Sequence, residues 1–197
     1  AFRPGYFLKY STYENVETID QIKHEIFRAV LRRMDIGPGT EIVSIADVPA
    51  GTGLGSSGSF TVGLLHALHA YRRLHIDTAA LADMANDIEM NVLGEPCGKQ
   101  DHTIAAYGGI ICQEYHRDGG LTVTPLTLRE DTLTHLREGL MLFFTGYSRT
   151  AADLLQDQKR KSQSDDAAML DNLHFIKDLG ARIGTALEAG AVEDFAE

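Results

Sequence analysis

Apolar positions along the chain change their period several times, and each change marks an element. Residues 1–16 are aromatic and irregular, with Phe2, Tyr6, Phe7, Tyr10 and Tyr13 among Arg3 and Lys9, and read as strand or loop. From Glu17 to Met34 the residues Ile19, Ile22, Ile26, Val30 and Met34 recur at three and four, which predicts one helical face. Thr18 with Gln21 three residues on is a capping-box pattern at its start, and Asp35-Ile36-Gly37-Pro38-Gly39 stops it. Alternation at Ile42, Val43, Ile45 and Val48 predicts a strand from Glu41 to Val48. Helical spacing returns at Leu64, Leu65, Leu68 and Tyr71, for a helix over about 57–74. A third helix is expected over about 78–92, capped by Asp77, with Leu81, Ala85, Ile88 and Val92 facing inward.

The second half changes character. Ile110 to His116, the turn Asp118-Gly119-Gly120 and Leu121 to Leu126 predict a hairpin. Residues 127–138 read as a short polar helix or linker, Leu140 to Thr145 as a buried strand, and about 150–163 and 165–189 as two polar helices. A domain boundary is expected near 135–140. The mixture of strands, hairpin and helices is that of an α+β protein.

Composition narrows the partners. The chain has 197 residues, enough for one to two domains, with 44% apolar and 23% charged residues, as in an ordinary soluble protein. Its formal net charge of −10 argues against nucleic acid or an anionic membrane as the main partner. The two cysteines, Cys97 and Cys112, have no zinc-site spacing, and a reduced cytoplasm is the expected setting. No apolar run approaches a membrane span or reads as a signal peptide. The chain opens on Ala1 and closes on Glu197 within a helical pattern, which fits a piece of a longer protein.

The chemistry centres on Pro49-Ala50-Gly51-Thr52-Gly53-Leu54-Gly55-Ser56-Ser57-Gly58, set where a strand hands over to a helix. Small residues let the backbone curl so that successive N–H groups converge, and the helix N-terminus behind adds unpaired N–H groups and its positive dipole end. This suits a polyanion, most simply a nucleotide's phosphates. A Gly/Ser-rich turn can also be only a turn. The run lacks a Walker lysine and the Rossmann glycine spacing. Glu89 lies on the margin of the third helix's apolar face, where a solvated helix edge is the simpler reading. Asp101 can be a turn or cap carboxylate. His66 and His69, one helical turn apart, have no third ligand at a telling spacing.

The loop fits P-x-x-x-G-L-G-S-S and so resembles the second motif of the GHMP small-molecule kinases. The run Glu89-Met90-Asn91-Val92-Leu93-Gly94-Glu95-Pro96-Cys97-Gly98-Lys99-Gln100-Asp101 resembles the galactokinase segment E-x-x-x-x-G-x-P-C-G-x-x-D. The resemblance implies a ribosomal protein S5 domain 2-like N-terminal domain over 1–138, followed over 139–197 by part of a ferredoxin-like C-terminal domain. It implies ATP and Mg²⁺ as cofactors. Pro49, Gly51, Gly53, Leu54, Gly55, Ser56, Ser57 and Gly58 would hold the nucleotide, Ser57 and Glu89 the metal, and Asp101 would be the catalytic base toward a sugar hydroxyl. Lys99 either neutralises charge nearby or faces solvent, and Cys97 packs in the turn without a nucleophilic role.

Further stretches resemble the sugar kinases of this family that act on an anomeric hydroxyl, most of all the D-glycero-D-manno-heptose 7-phosphate kinases, which implies phosphorylation of heptose 7-phosphate at O1 to the 1,7-bisphosphate. They are Lys9-Tyr10-Ser11 with Glu14, residues 42–65, Glu89 to Gly109, and Phe143-Phe144-Thr145-Gly146 with Arg149. A phosphorylated sugar needs a cation for its remote phosphate, for which Arg149 and Lys159-Arg160-Lys161 are candidates; the latter run is otherwise a solvated face. The implied partner is a small-molecule sugar or sugar phosphate, with no nucleic acid and no membrane; the oligomeric state, a homodimer included, stays open. The family's first and third motifs are not in this chain. Another sugar such as fucose or galactose, or a catalytically silent sensor of sugar and nucleotide, are the rival readings.

Overall fold

The computed structural model describes residues 4–48, 51–143, 151–164 and 166–196, and the fold is α+β. Two compact units divide between Tyr107 and Gly108.

The first unit starts from a short sheet. Tyr6–Lys9 (β1) pairs antiparallel with Tyr13–Val16 (β2) and parallel with Thr40–Val43 (β3), giving the order β2-β1-β3. Period-two alternation turns Tyr6 and Leu8 into the core, where they meet Phe27, Val30 and Leu31. The strand expected over 41–48 stops at Val43. Its neighbour β1 ends at Lys9, whose carbonyl takes a last bond from Ser44 N, and Ile45 beyond is 89% exposed.

The helix expected over 17–34 is in fact interrupted. Ile19–Gln21 form one 3₁₀ turn, in which Gln21 Oε1 accepts from the N–H groups of Thr18 and Glu17. The α-helix proper, Glu25–Arg33 (α1), begins after His24. The cause is Glu14, a buried carboxylate on β2. It accepts from Lys23 N at 2.6 Å, His24 N at 3.0 Å and the Tyr10 hydroxyl at 2.8 Å. Those amides are fixed outside a helical ladder, so the ladder restarts after them.

Ser56–Tyr71 (α2), Thr78–Asn86 (α3) and Gln100–Tyr107 (α4) pack on one another. Leu64, Leu65 and Leu68 of α2 are buried as their spacing predicts, whereas Tyr71 is exposed at the helix end. Asp77 caps α3 by accepting from Ala80 N at 2.9 Å. The third helix does not continue as α-helix to Val92: Asp87–Val92 form a π-helical turn. The wider turn shifts the side-chain phase. Leu81, Ala85 and Ile88 stay buried, but Val92, expected inside, is 59% exposed, and Glu89 is turned in.

The second unit carries the hairpin, Ile111–Tyr115 (β4) and Leu121–Pro125 (β5), in the register Ile111↔Pro125 and Tyr115↔Leu121. Asp118 Oδ1 accepts from Gly120 N at 2.9 Å across the turn. Glu130–Gly139 (α5), Ala151–Gln163 (α6), Ala167–Ala189 (α7) and Val192–Ala196 (α8) follow. Leu140 to Phe143, expected to begin a buried strand, are exposed and outside any strand: among the described residues β4 and β5 pair only with each other, and no strand receives them. No helix among the described residues is long and apolar enough to cross a membrane.

Candidate active site

The Gly/Ser loop enters α2 through glycines that a side chain would strain. Gly51, Gly53 and Gly55 have φ of 76°, 78° and 67°, and Gly55 is the left-handed residue immediately before Ser56. The helix has no side-chain cap, so the N–H groups of its first turn face outward as donors. Leu54 is exposed at the tip. Pro49 and Ala50 lie outside the described residues.

Glu89 sits at the centre, only 2% exposed. A buried carboxylate is unfavourable unless donors surround it. Thr61 Oγ1 donates to Glu89 Oε1 at 2.5 Å, and the Ser57 side chain, one turn earlier on α2, also hydrogen-bonds the carboxylate. His102 Nε2, from α4, stands 3.1 Å from Oε1, at an angle short of a well-formed hydrogen bond. Burial pushes the Glu89 pKa up, but His102, Thr61 and Ser57 together outweigh it and hold the carboxyl below its ordinary range. Glu89 is therefore ionised at neutral pH. The π turn is closed around it by Leu93 N donating to Ile88 O and Glu95 N donating to Glu89 O, each at 2.9 Å.

Asp101, on the first turn of α4, is exposed and lies directly against the loop. A Cβ added at Gly55 would stand 3.2 Å from Asp101 Cγ, and one at Gly58 would stand 3.1 Å from Asp101 Cβ and 3.2 Å from His102 N. These two glycines let α4 approach the N-terminus of α2, besides freeing the loop. Thr103 locks the start of α4, its Oγ1 donating to Lys99 O at 2.8 Å. Ser57, Glu89 and Asp101 are thus brought together around one helix N-terminus.

Cys97, in the turn between Glu89 and Asp101, is half-buried. Burial first, then the charges of Glu89 and Glu95, push its thiol up to about 11, so without a metal it is held as the neutral thiol and reacts slowly at neutral pH. Lys99 is half-buried beside it. His69 does not join His66: its Nδ1 lies 2.8 Å from Leu65 O, inside the core. Arg160 and Lys161 both reach Asp157 on their own helix, at 2.5 and 2.8 Å. Arg149 and residues 144–146 lie outside the described residues. Sequence reasoning missed Thr61 and His102. Thr61 was within reach, since it lies four residues after Ser57 on the same helical face.

Residues 21–109 match the model for the GHMP kinases N terminal domain. A D-glycero-alpha-D-manno-heptose 7-phosphate kinase of Campylobacter jejuni is 28% identical over 184 residues, 90% of this chain and 54% of that protein. A galactokinase of Pyrococcus furiosus is 29% identical over 135 residues, 68% of this chain and 36% of that protein. The crystal structure of a D-glycero-D-manno-heptose 1-phosphate kinase from Bacteroides thetaiotaomicron superposes with a TM-score of 0.78 at 25% identity, covering 97% of this chain and 60% of that one. The chain therefore spans little more than half the length of these heptose kinase relatives. Within that span, residues 21–109 are a GHMP kinase N-terminal domain, in a chain with the GHMP kinase fold.

Proposed function

We propose that the full protein transfers the γ-phosphoryl group of ATP to a sugar hydroxyl, most specifically O1 of a D-glycero-D-manno-heptose 7-phosphate, in the cytoplasm. The observation that carries the reading is the seating of Asp101 against Gly55 and Gly58, beside the Ser57–Glu89 pair. Outward N–H groups at the start of α2 suit the nucleotide's phosphates. Pro49, Gly51, Gly53, Leu54, Gly55, Ser56, Ser57 and Gly58 are our candidates for the nucleotide site.

The Ser57 hydroxyl and the ionised Glu89 carboxylate are hard oxygen donors in mutual contact, which fits Mg²⁺. Bound there, Mg²⁺ supplies charge neutralisation at the phosphates. Asp101 orients the sugar hydroxyl and takes its proton as the new O1–P bond forms and the bond to the leaving phosphate breaks, releasing ADP. Positioning is the larger part of its effect, because a loose transition state asks little of the base. Arg149 is our candidate for the remote phosphate. Residues 1–138 belong on this reading to the ATP-binding domain and 139–197 to the start of a C-terminal one.

The test is phosphate transfer from ATP to a panel of reducing sugars and sugar phosphates, beside Asp101→Ala. Selective turnover of heptose 7-phosphate that collapses in the variant is the expected result. Equal rates on heptose and heptose 7-phosphate would remove the substrate assignment. Nucleotide binding without turnover of any sugar would remove the kinase itself.

A further inference from the structure

We propose that Glu89, Cys97 and His102 form a second cation site, taken by a thiophilic divalent metal such as Zn²⁺, which encroaches on the Mg²⁺ pair through Glu89. One ligand atom from each of the three residues lies within 4.8 Å of those of the other two. One pair, Glu89 Oε1 and His102 Nε2 at 3.1 Å, is already at the separation that two ligands of one small metal ion adopt. Cys97 lies between Pro96 and Gly98 on the turn that joins the π-helical segment to α4, outside either helix.

His102 provides the independent observation. Its ring is 1% exposed, yet neither nitrogen has a well-formed hydrogen bond. Buried imidazoles are ordinarily satisfied, and one whose Nε2 faces a carboxylate at 3.1 Å without a well-formed bond is placed to share a metal ion with it. The donor set decides the metal. Mg²⁺ takes oxygen ligands and keeps its waters, whereas a thiolate, an imidazole and a carboxylate select Zn²⁺ or Co²⁺. Charge agrees as well: a dication neutralises the Glu89 carboxylate and the Cys97 thiolate, leaving a buried site without net charge. Binding forms the metal–sulfur bond and releases the thiol proton to solvent. Three protein ligands leave a fourth position for water. Thr61, which donates to Glu89, steadies the carboxylate from outside the ligand set.

The site rests on geometry alone; its consequence, inhibition of Mg²⁺-dependent transfer by Zn²⁺, rests also on the kinase reading above. The experiment separates them by reading the metal directly. Co²⁺ is titrated into the full chain in the absence of nucleotide, and the thiolate-to-cobalt charge-transfer absorption is followed. We expect one equivalent to raise the band, Zn²⁺ to bleach it, Cys97→Ser to abolish it and Cys112→Ser to leave it intact. His102→Asn should weaken Co²⁺ binding at least tenfold. In the unaltered protein, Zn²⁺ should protect Cys97 from alkylation and leave Cys112 reactive, as read by peptide mass. A band that survives Cys97→Ser, a protein that gives no band, or Cys97 alkylated at the same rate with and without Zn²⁺ would overturn the site, whatever the kinase assay gives.

Discussion

Gly58 and Asp101 are in contact: a methyl group added at Gly58 would stand 3.1 Å from Asp101 Cβ and 3.2 Å from the backbone of Asp101 and His102. The glycine is buried within α2, where alanine would ordinarily be favoured by about 1 kcal/mol. Here the added carbon meets backbone, which gives way only if α4 shifts. Gly58→Ala should therefore leave thermal stability within a few degrees of wild type yet lower kcat about tenfold to a hundredfold, since small misplacements of a reacting group have effects of that order. Wild-type kcat in a folded Gly58→Ala protein would mean that Asp101 does not work from this position.

Gly55→Ala should behave differently. Its φ of 67° lies in the left-handed region, so alanine is strained there by about 1–2 kcal/mol before any contact with Asp101 is counted. Denaturant midpoints should fall for Gly55→Ala and hold for Gly58→Ala, while activity falls in both. Equal stability of the two would contradict the left-handed entry into α2.

Glu89 separates charge from packing. Glu89→Gln keeps the shape and an oxygen for Thr61 to donate to, so it should unfold near the wild-type midpoint while losing Mg²⁺-dependent turnover. Glu89→Ala leaves the Thr61 hydroxyl buried with no acceptor. It should be destabilised by about 1–3 kcal/mol in denaturant titrations. A stable Glu89→Ala protein would show that water or a rearranged side chain fills the site.

The motif runs were legible in sequence because glycine, serine and carboxylate at fixed spacing have few other uses. The helices α2 and α3 were legible because Leu64, Leu65, Leu68, Leu81, Ala85 and Ile88 keep a steady period. The errors arose where a single side chain overrides that period. Glu14 takes the amides of Lys23 and His24 and divides a helix whose apolar spacing runs straight through them. The π turn carries Val92 out and Glu89 in, and nothing in the order Asp87-Ile88-Glu89-Met90 announces a widened turn. Leu140–Phe143 have a strand's composition, but a strand needs a partner, and no described strand supplies one. His102 was missed because it repeats no pattern; only the meeting of α4 with the π turn that carries Glu89 gives it a role.

Acid should expose the Glu14 device. Burial pushes the Glu14 carboxyl up, but donation from Lys23 N, Tyr10 and His24 N outweighs it and holds the pKa below the ordinary range. The same contact, after burial, pushes the Tyr10 hydroxyl up to about 12. A carboxyl depressed in the folded state binds fewer protons there than in the unfolded chain, so its stabilisation is present above about pH 4.3 and is lost as pH falls through the lowered value. Glu89 acts in the same direction. Glu14→Gln replaces one acceptor oxygen by an N–H₂ group that faces the donors of Lys23 and His24. It should lower stability at neutral pH by about 1–3 kcal/mol. It should also flatten the fall in stability between pH 5 and 3, read as urea midpoints against pH. If wild type and Glu14→Gln lose stability in parallel over that range, the carboxylate is not what interrupts the helix before α1.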